Sequence, residues 1–278
     1  MTEGGVHHGE LILLLLLVFV IGFGALARRL QTPYPIVLVI AGLLLSLAPG
    51  VPHVSLNPEF VFFVILPPLL YAAAFTTSWR DFRYHLVTII FLAFGLVGLT
   101  VVSVAAVSRW ILPGFDWRLG LLLGAVVSTT DAIAATSIAR RVNLPRHIVD
   151  LLEGESLVND ASGLLALELT LGLLNSGAAP DLFAGASRFV HLVAGGIAIG
   201  LILGKGVHWI EQHVDDAPIE IILSVLTPCT AYLAAERVGA SGVLATVACG
   251  LYVGRQSARF FSSAVRLEAY AVWNTLNF

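Results

Sequence analysis

Charge is what this sequence has least of. Charged side chains make up 12% of its 278 residues, against roughly a quarter in an ordinary soluble domain, while hydrophobic residues reach 58%. That shortage excludes a soluble globular domain and leaves an integral membrane protein. Cysteine is nearly absent as well. The two present, Cys229 and Cys249, are far apart and both sit in apolar stretches. That placement excludes a disulfide framework and any metal-binding spacing, and each reads as a small buried hydrophobe. No basic run exists and the net charge is only −3, which excludes nucleic acid as a partner. The first apolar run, Leu11 to Ala27, has no positively charged lead-in and follows Glu3 and Glu10, so a cleaved signal peptide is not expected.

Long apolar runs are what the chain has in abundance. A spanning helix needs about 20 residues, and the runs divide into spans at 11–30, 34–49, 58–76, 86–111, 118–140, 147–174, 186–211, 219–236 and 239–254, with a tenth beginning near 265. Proline and glycine punctuate the breaks, as at Pro49-Gly50, Pro113-Gly114 and Pro145. The fold class is therefore all-α, a polytopic transmembrane bundle, and with no linker in the series residues 1–278 read as a single transmembrane domain. Of the 15 basic residues, eleven fall at the odd connections and four, Arg109, Arg118, Arg188 and Arg237, at the even ones. This asymmetry places the odd loops in the cytoplasm and the N-terminus outside, in a plasma (inner) membrane. The seventh span carries Gly196, Gly200 and Gly204 at intervals of four, a stripe that lets another helix approach closely.

Against this apolar background the acids stand out. An acid at the centre of a spanning helix costs roughly 3 kcal/mol, so such residues persist mainly where they line a watery or ionic path. Glu153, Ser156 and Asp160 are spaced by three and four on the sixth span and share one helix face. Oxygen ligands with no Cys or His beside them suit a hard cation such as Na⁺ or Li⁺. Asn159 is about 100° around the helix from Asp160; it serves equally as a helix–helix hydrogen-bonding group or as a ligand. In the fifth span Ser128-Thr129-Thr130 are poor helix formers whose hydroxyls compete for backbone partners. A break there frees carbonyls for a cation and exposes half-helix ends, and Asp131 suits the positive end of a following half-helix. Desolvation favours the protonated acid and a bound cation the ionised one. Proton and cation thus compete for Asp160, and that competition is already an exchange mechanism.

The run Thr130-Asp131-Ala132-Ile133-Ala134, then Leu144-Pro145 and Glu153-Gly154-Glu155-Ser156-Leu157-Val158-Asn159-Asp160-Ala161, resembles the monovalent cation:proton antiporters of the sodium/proton exchanger type. Leu66-Pro67-Pro68-Leu69-Leu70-Tyr71 looks like that family too. The resemblance implies an antiporter fold of two inverted repeats with a discontinuous helix, in a homodimer embedded in lipid, for pH and cation homeostasis. It implies no enzyme activity and no cofactor, the monovalent cation (Na⁺, or K⁺ or Li⁺) being the substrate. By the matching motif, Asp160 binds cation or proton, Ser156 and Thr130 supply further oxygens, and Glu155 belongs to the same candidate set. Asp131, Asn159, Thr129 and Glu153 would be supports, and Asn159 before the acid is the form associated with electroneutral exchange.

Two positions depart from the family pattern. Tyr71-Ala72 stands where many relatives carry a glutamate in the third span, which removes one ligand, and Ala132 replaces a common proline. The chain stops at Phe278 inside what reads as a tenth span, so the second repeat is expected to be incomplete, the chain a truncated part of a longer protein, and transport by it alone poor. An intramembrane aspartyl protease using Asp131 and Asp160 is one alternative, although the Gly-x-Gly-Asp context of such enzymes is absent; a passive cation channel is another. Glu168 is expected to pair with an arginine on another helix, Glu220 and Glu236 to lie at the interface, and Thr227-Pro228 to kink the eighth span.

Overall fold

The computed structural model describes residues 3–30, 32, 34–47, 57–130, 135–136, 138–139, 142–176, 182–214, 216–260 and 272–273. Among these residues regular structure is helical and no strand occurs, as the apolar runs predict. The chain forms two compact units, Met1–Ser55 and Leu56–Phe278. In the first, α1 (Glu3–Arg29) and α2 (Tyr34–Ser46) pack as a pair. Ala27 and Ala41 are buried, while Leu15, Ile21, Leu43 and Leu44 stay exposed, the distribution expected of helices whose outer faces meet lipid rather than water.

The second unit holds α3 (Pro58–Thr76), α4 (Trp79–Ile111), α5 (Trp117–Val127), α6 (Arg146–Ser176), α7 (Leu182–Glu211), α8 (Ala217–Arg237) and α9 (Gly242–Phe260). Among the described helices, five, in α3, α4, α6, α7 and α8, are long and apolar enough to cross a membrane. Asn57 caps α3 by accepting from the Glu59 amide at 2.9 Å, with Pro58 in the first turn, and Asp216 caps α8 through the Ile219 amide. Gly239, at φ +69°, takes the left-handed position that ends α8. The central apolar cluster joins α3, α4, α6 and α9 through Leu70, Ile89, Leu157, Ala161 and Val247. The glycine stripe of α7 lies against α9: a Cβ at Gly196 would come within 2.6 Å of the Ser241 carbonyl oxygen, and one at Gly200 would strike that of Ala245.

Two wide π turns, at Val61–Ile65 and Phe91–Leu96, interrupt α3 and α4. The first has a covalent cause. Pro67 and Pro68 lack the N–H groups that would meet the Phe63 carbonyl, and the Cys229 thiol of α8 donates to it instead at 3.7 Å. Helix ends differ from the sequence expectation where polarity misleads. The fourth span begins at Trp79 rather than 86, because Arg80, Asp81 and Arg83 form a polar first turn in which Ser78 donates to Asp81 at 2.6 Å. The fifth ends at Val127, with helix resuming at 135–136 and 138–139. The expected tenth span lies outside the described residues except at 272–273, which are helical.

Candidate functional site

The hydroxyl-rich run after Val127 does interrupt the helix: Ser128, Thr129 and Thr130 are not helical. Ser128 turns its hydroxyl back to the Ala125 carbonyl at 3.0 Å, the competition for backbone partners that makes such residues poor helix formers. The broken end is held by α6, which runs unbroken through the acidic segment. Asn159 is 2% exposed, and its Nδ2 donates to the Thr130 hydroxyl at 2.8 Å. One turn on, a Cβ at Gly163 would overlap the Thr129 methyl group, so only glycine admits the irregular segment so close. The Ser162 hydroxyl donates to the carbonyl of Ala93, at 2.5 Å, within the π turn of α4, and is 2.9 Å from the carbonyl of Asn159. Helices α4, α5 and α6 thus meet at one point.

The Asn159 amide is only half used. Its Oδ1 is buried with no hydrogen-bond partner, an acceptor left open one residue before Asp160. Glu153, Ser156 and Asp160 are half-buried along the same face of α6, and Glu155 is half-buried about 100° from Ser156. Amide, hydroxyl and carboxylate oxygens are the donor set of a hard cation. Of the sequence-predicted residues, Thr130 and Asn159 are brought into direct contact and Thr129 lies against α6; Asp131 falls outside the described residues. Ala72 is 1% exposed, so a methyl group fills the inward-facing third-span position where the family pattern often has a glutamate.

The sequence leads to an arginine on another helix as the partner of Glu168 without saying which one, and other contacts escape it altogether. Glu168 pairs with Arg188 of α7, Nη2 to Oε1 3.2 Å, and Arg188 also donates to the Gly239 carbonyl at 3.2 Å. The scarcity of arginine at even connections was the available signal. Ser162, which fastens α6 to α4, had none beyond its place two residues after Asp160. Glu220, expected at the interface, is instead 8% exposed, on the covered face of the first turn of α8 whose other face carries Ile219 at 51%; Glu236 is exposed as expected. Thr227 donates to the Leu223 carbonyl at 2.7 Å beside Pro228.

A family model described as the transmembrane sodium/hydrogen exchanger matches residues 13–277. The chain belongs to that family. An uncharacterized Na⁺/H⁺ exchanger of Mycobacterium bovis is 33% identical over 276 residues, covering 99% of this chain and 50% of the relative. A sodium, potassium, lithium and rubidium/H⁺ antiporter of Bacillus pumilus is 36% identical over 254 residues, covering 88% of this chain and 38% of that protein. Among solved structures, the sodium proton antiporter MjNhaP1 of Methanocaldococcus jannaschii superimposes with a TM-score of 0.77 at 22% identity, covering 99% of this chain and 68% of that one. The antiporter fold expected from the sequence is therefore present. This exchanger-family chain spans about half the length, or less, of the curated relatives it matches.

Proposed function

We propose that the protein exchanges a monovalent cation for protons across the membrane, with Asp160 as the carboxylate for which the two compete. The observation carrying this reading is the Asn159–Thr130 hydrogen bond, which ties the broken end of α5 to α6 beside Asp160 while leaving Asn159 Oδ1 open. In this scheme Ser156, Thr130 and Glu155 contribute oxygens, and Asp131, Thr129, Glu153 and Asn159 support them. Proton and cation each neutralise the carboxylate, so a site that changes sides only when neutral must swap one for the other. A neutral Asn159 adds no second charge, which supports one-for-one, electroneutral exchange. The relatives named above, an Na⁺/H⁺ exchanger and a sodium, potassium, lithium and rubidium/H⁺ antiporter, support the substrate class. These relatives give no support to a protease or a channel. The basic-residue bias supports an extracytoplasmic N-terminus in the plasma membrane, and the family resemblance supports a homodimer.

The test is Asp160→Asn in the complete protein. Reconstituted in vesicles with an internal pH dye, the variant is expected to lose Na⁺- and Li⁺-driven proton movement at least a hundredfold, roughly the loss of 3 kcal/mol, while inserting normally. Retained exchange would remove Asp160 from the mechanism.

A further inference from the structure

A face of α6 turned away from Asp160 carries two directional contacts within a single turn. Asn159 and Ser162 are three residues apart and share that face, Asn159 about 100° and Ser162 about 160° round the helix from Asp160. Asn159 reaches the broken end of α5 through the Thr130 hydroxyl at 2.8 Å. Ser162, 4% exposed, reaches α4 through the Ala93 carbonyl at 2.5 Å. Around these bonds α6 meets α4 through apolar groups: Leu157, Val158 and Ala161 cluster with Ile89 and Ala93, and Gly154 lies against the Ile89 side chain. Apolar contacts are non-directional, so they hold the two helices together without fixing the rotation of α6 about its own axis. The two hydrogen bonds fix it.

The π turn of α4 explains why the Ala93 carbonyl is addressed from another helix. In a regular α-helix that carbonyl would accept from the Val97 amide, which here donates to the Phe94 carbonyl instead. Wide turns of this kind inside α-helices are frequent at functional sites. The Ser162 hydroxyl also lies 2.9 Å from the Asn159 carbonyl of its own helix, and one hydroxyl hydrogen cannot serve both oxygens. It goes to Ala93 at the shorter distance, and the Asn159 carbonyl stands ready when α4 draws away. The bond between the helices can therefore be broken and remade without leaving a buried donor unmet.

We propose that Ser162 is a positioning residue of the exchange site, holding α6 at the rotation that presents Asp160 and the open Asn159 oxygen to the cation. This rests on Asp160 being the exchange carboxylate. Oxygen ligands hold a small cation only when their distances are kept to within a few tenths of an ångström, so a loosened α6 loses cation affinity before it loses its fold.

Na⁺-driven proton movement by the complete protein in vesicles tests this with Ser162→Ala, Ser162→Thr, Thr130→Val and the Ser162→Ala/Thr130→Val pair. Ser162→Ala is expected to raise the half-saturating Na⁺ concentration about fivefold, the effect of losing one modest hydrogen bond, while the maximal rate stays within about twofold. Ser162→Thr, which keeps the hydroxyl, should restore the parent value. In the double variant the rise should be smaller than the product of the two single rises, because both bonds fix the same helix. An unchanged half-saturation in Ser162→Ala, a loss confined to Tm or to the maximal rate, or single rises that simply multiply would overturn the proposal. Should the alanine variant fail to fold, Ser162→Cys offers a weaker donor in nearly the same space, and an unchanged half-saturation there overturns it equally. Asp160→Asn is assayed in the same vesicles. If it retains exchange, the Asp160 reading falls and the role of Ser162 with it; if it loses exchange while Ser162→Ala keeps the parent half-saturation, only the role of Ser162 falls.

Discussion

A buried primary amide brings donors and an acceptor into a place where each unmet group is costly. Asn159 spends its amide nitrogen on Thr130, and this fixes which way its open oxygen points. Thr130→Val keeps the shape and removes the acceptor. Because Thr130 itself is exposed, water can reach part of the freed amide, so the expected loss is about 1 kcal/mol rather than the full penalty of a dry, unpaired donor. The measurement is paired: Tm should fall by a few degrees and the half-saturating cation concentration should rise, and Thr130→Ser should restore both. Ser156, half-buried on the Asp160 face, is expected to behave differently. A neutral hydroxyl ligand contributes to holding the cation more than to moving the site, so Ser156→Ala should raise the apparent KM for Na⁺ several-fold and lower the maximal rate less. An unchanged KM would leave Ser156 structural.

At the scale of elements, close helix approach depends on glycine, and two positions on α7 separate packing from propensity. Gly200 faces α9 where a Cβ would meet the Ala245 carbonyl, whereas Gly206 has nothing within 4 Å. Gly200→Ala is expected to destabilise by about 1–2 kcal/mol as the helices are forced apart. Gly206→Ala should be neutral or stabilising by up to about 1 kcal/mol, since alanine is the better helix former; comparing their thermal unfolding checks both. The stripe could be read from the sequence because its period matches the helix, and the break after Val127 because three hydroxyl residues in succession compete with helical hydrogen bonding. Other features could not. The partner of Glu168 is twenty residues away on Arg188, a pairing set by how α6 and α7 cross rather than by any local spacing. The π turn at Phe91–Leu96 has no proline to announce it, and its buried Ala93 carbonyl accepts from Ser162, far along the chain. The burial of Glu220 depends on the direction in which α8 enters, and composition near a helix end does not encode that direction.

For the whole molecule, α4 provides a ruler across the bilayer. Tyr84 and Trp110 are 84% and 85% exposed, and 26 residues of helix separate them, which is about 39 Å at 1.5 Å per residue. A bilayer with its headgroup regions is about 40–45 Å thick, and aromatic side chains collect at both interfaces. The two rings therefore mark opposite boundaries, with Arg80 and Arg83 beyond the first and Arg109 beside the second. Under the proposed topology the arginine-rich Tyr84 end is the cytoplasmic one. That proposal puts the α4–α5 connection outside and the α7–α8 connection inside, three crossings later. Asp116 and Gln212, both exposed in those connections, report this when each is changed to cysteine in a background of Cys229→Ser and Cys249→Ala, the serine keeping a donor for the Phe63 carbonyl. A membrane-impermeant maleimide is expected to label Asp116→Cys in intact cells and to reach Gln212→Cys only in inverted vesicles. The opposite pattern would invert the bundle. Equal labelling of both from one side would mean an even number of crossings between them, and α5, the shortest helix of its unit, would then be the one that fails to traverse.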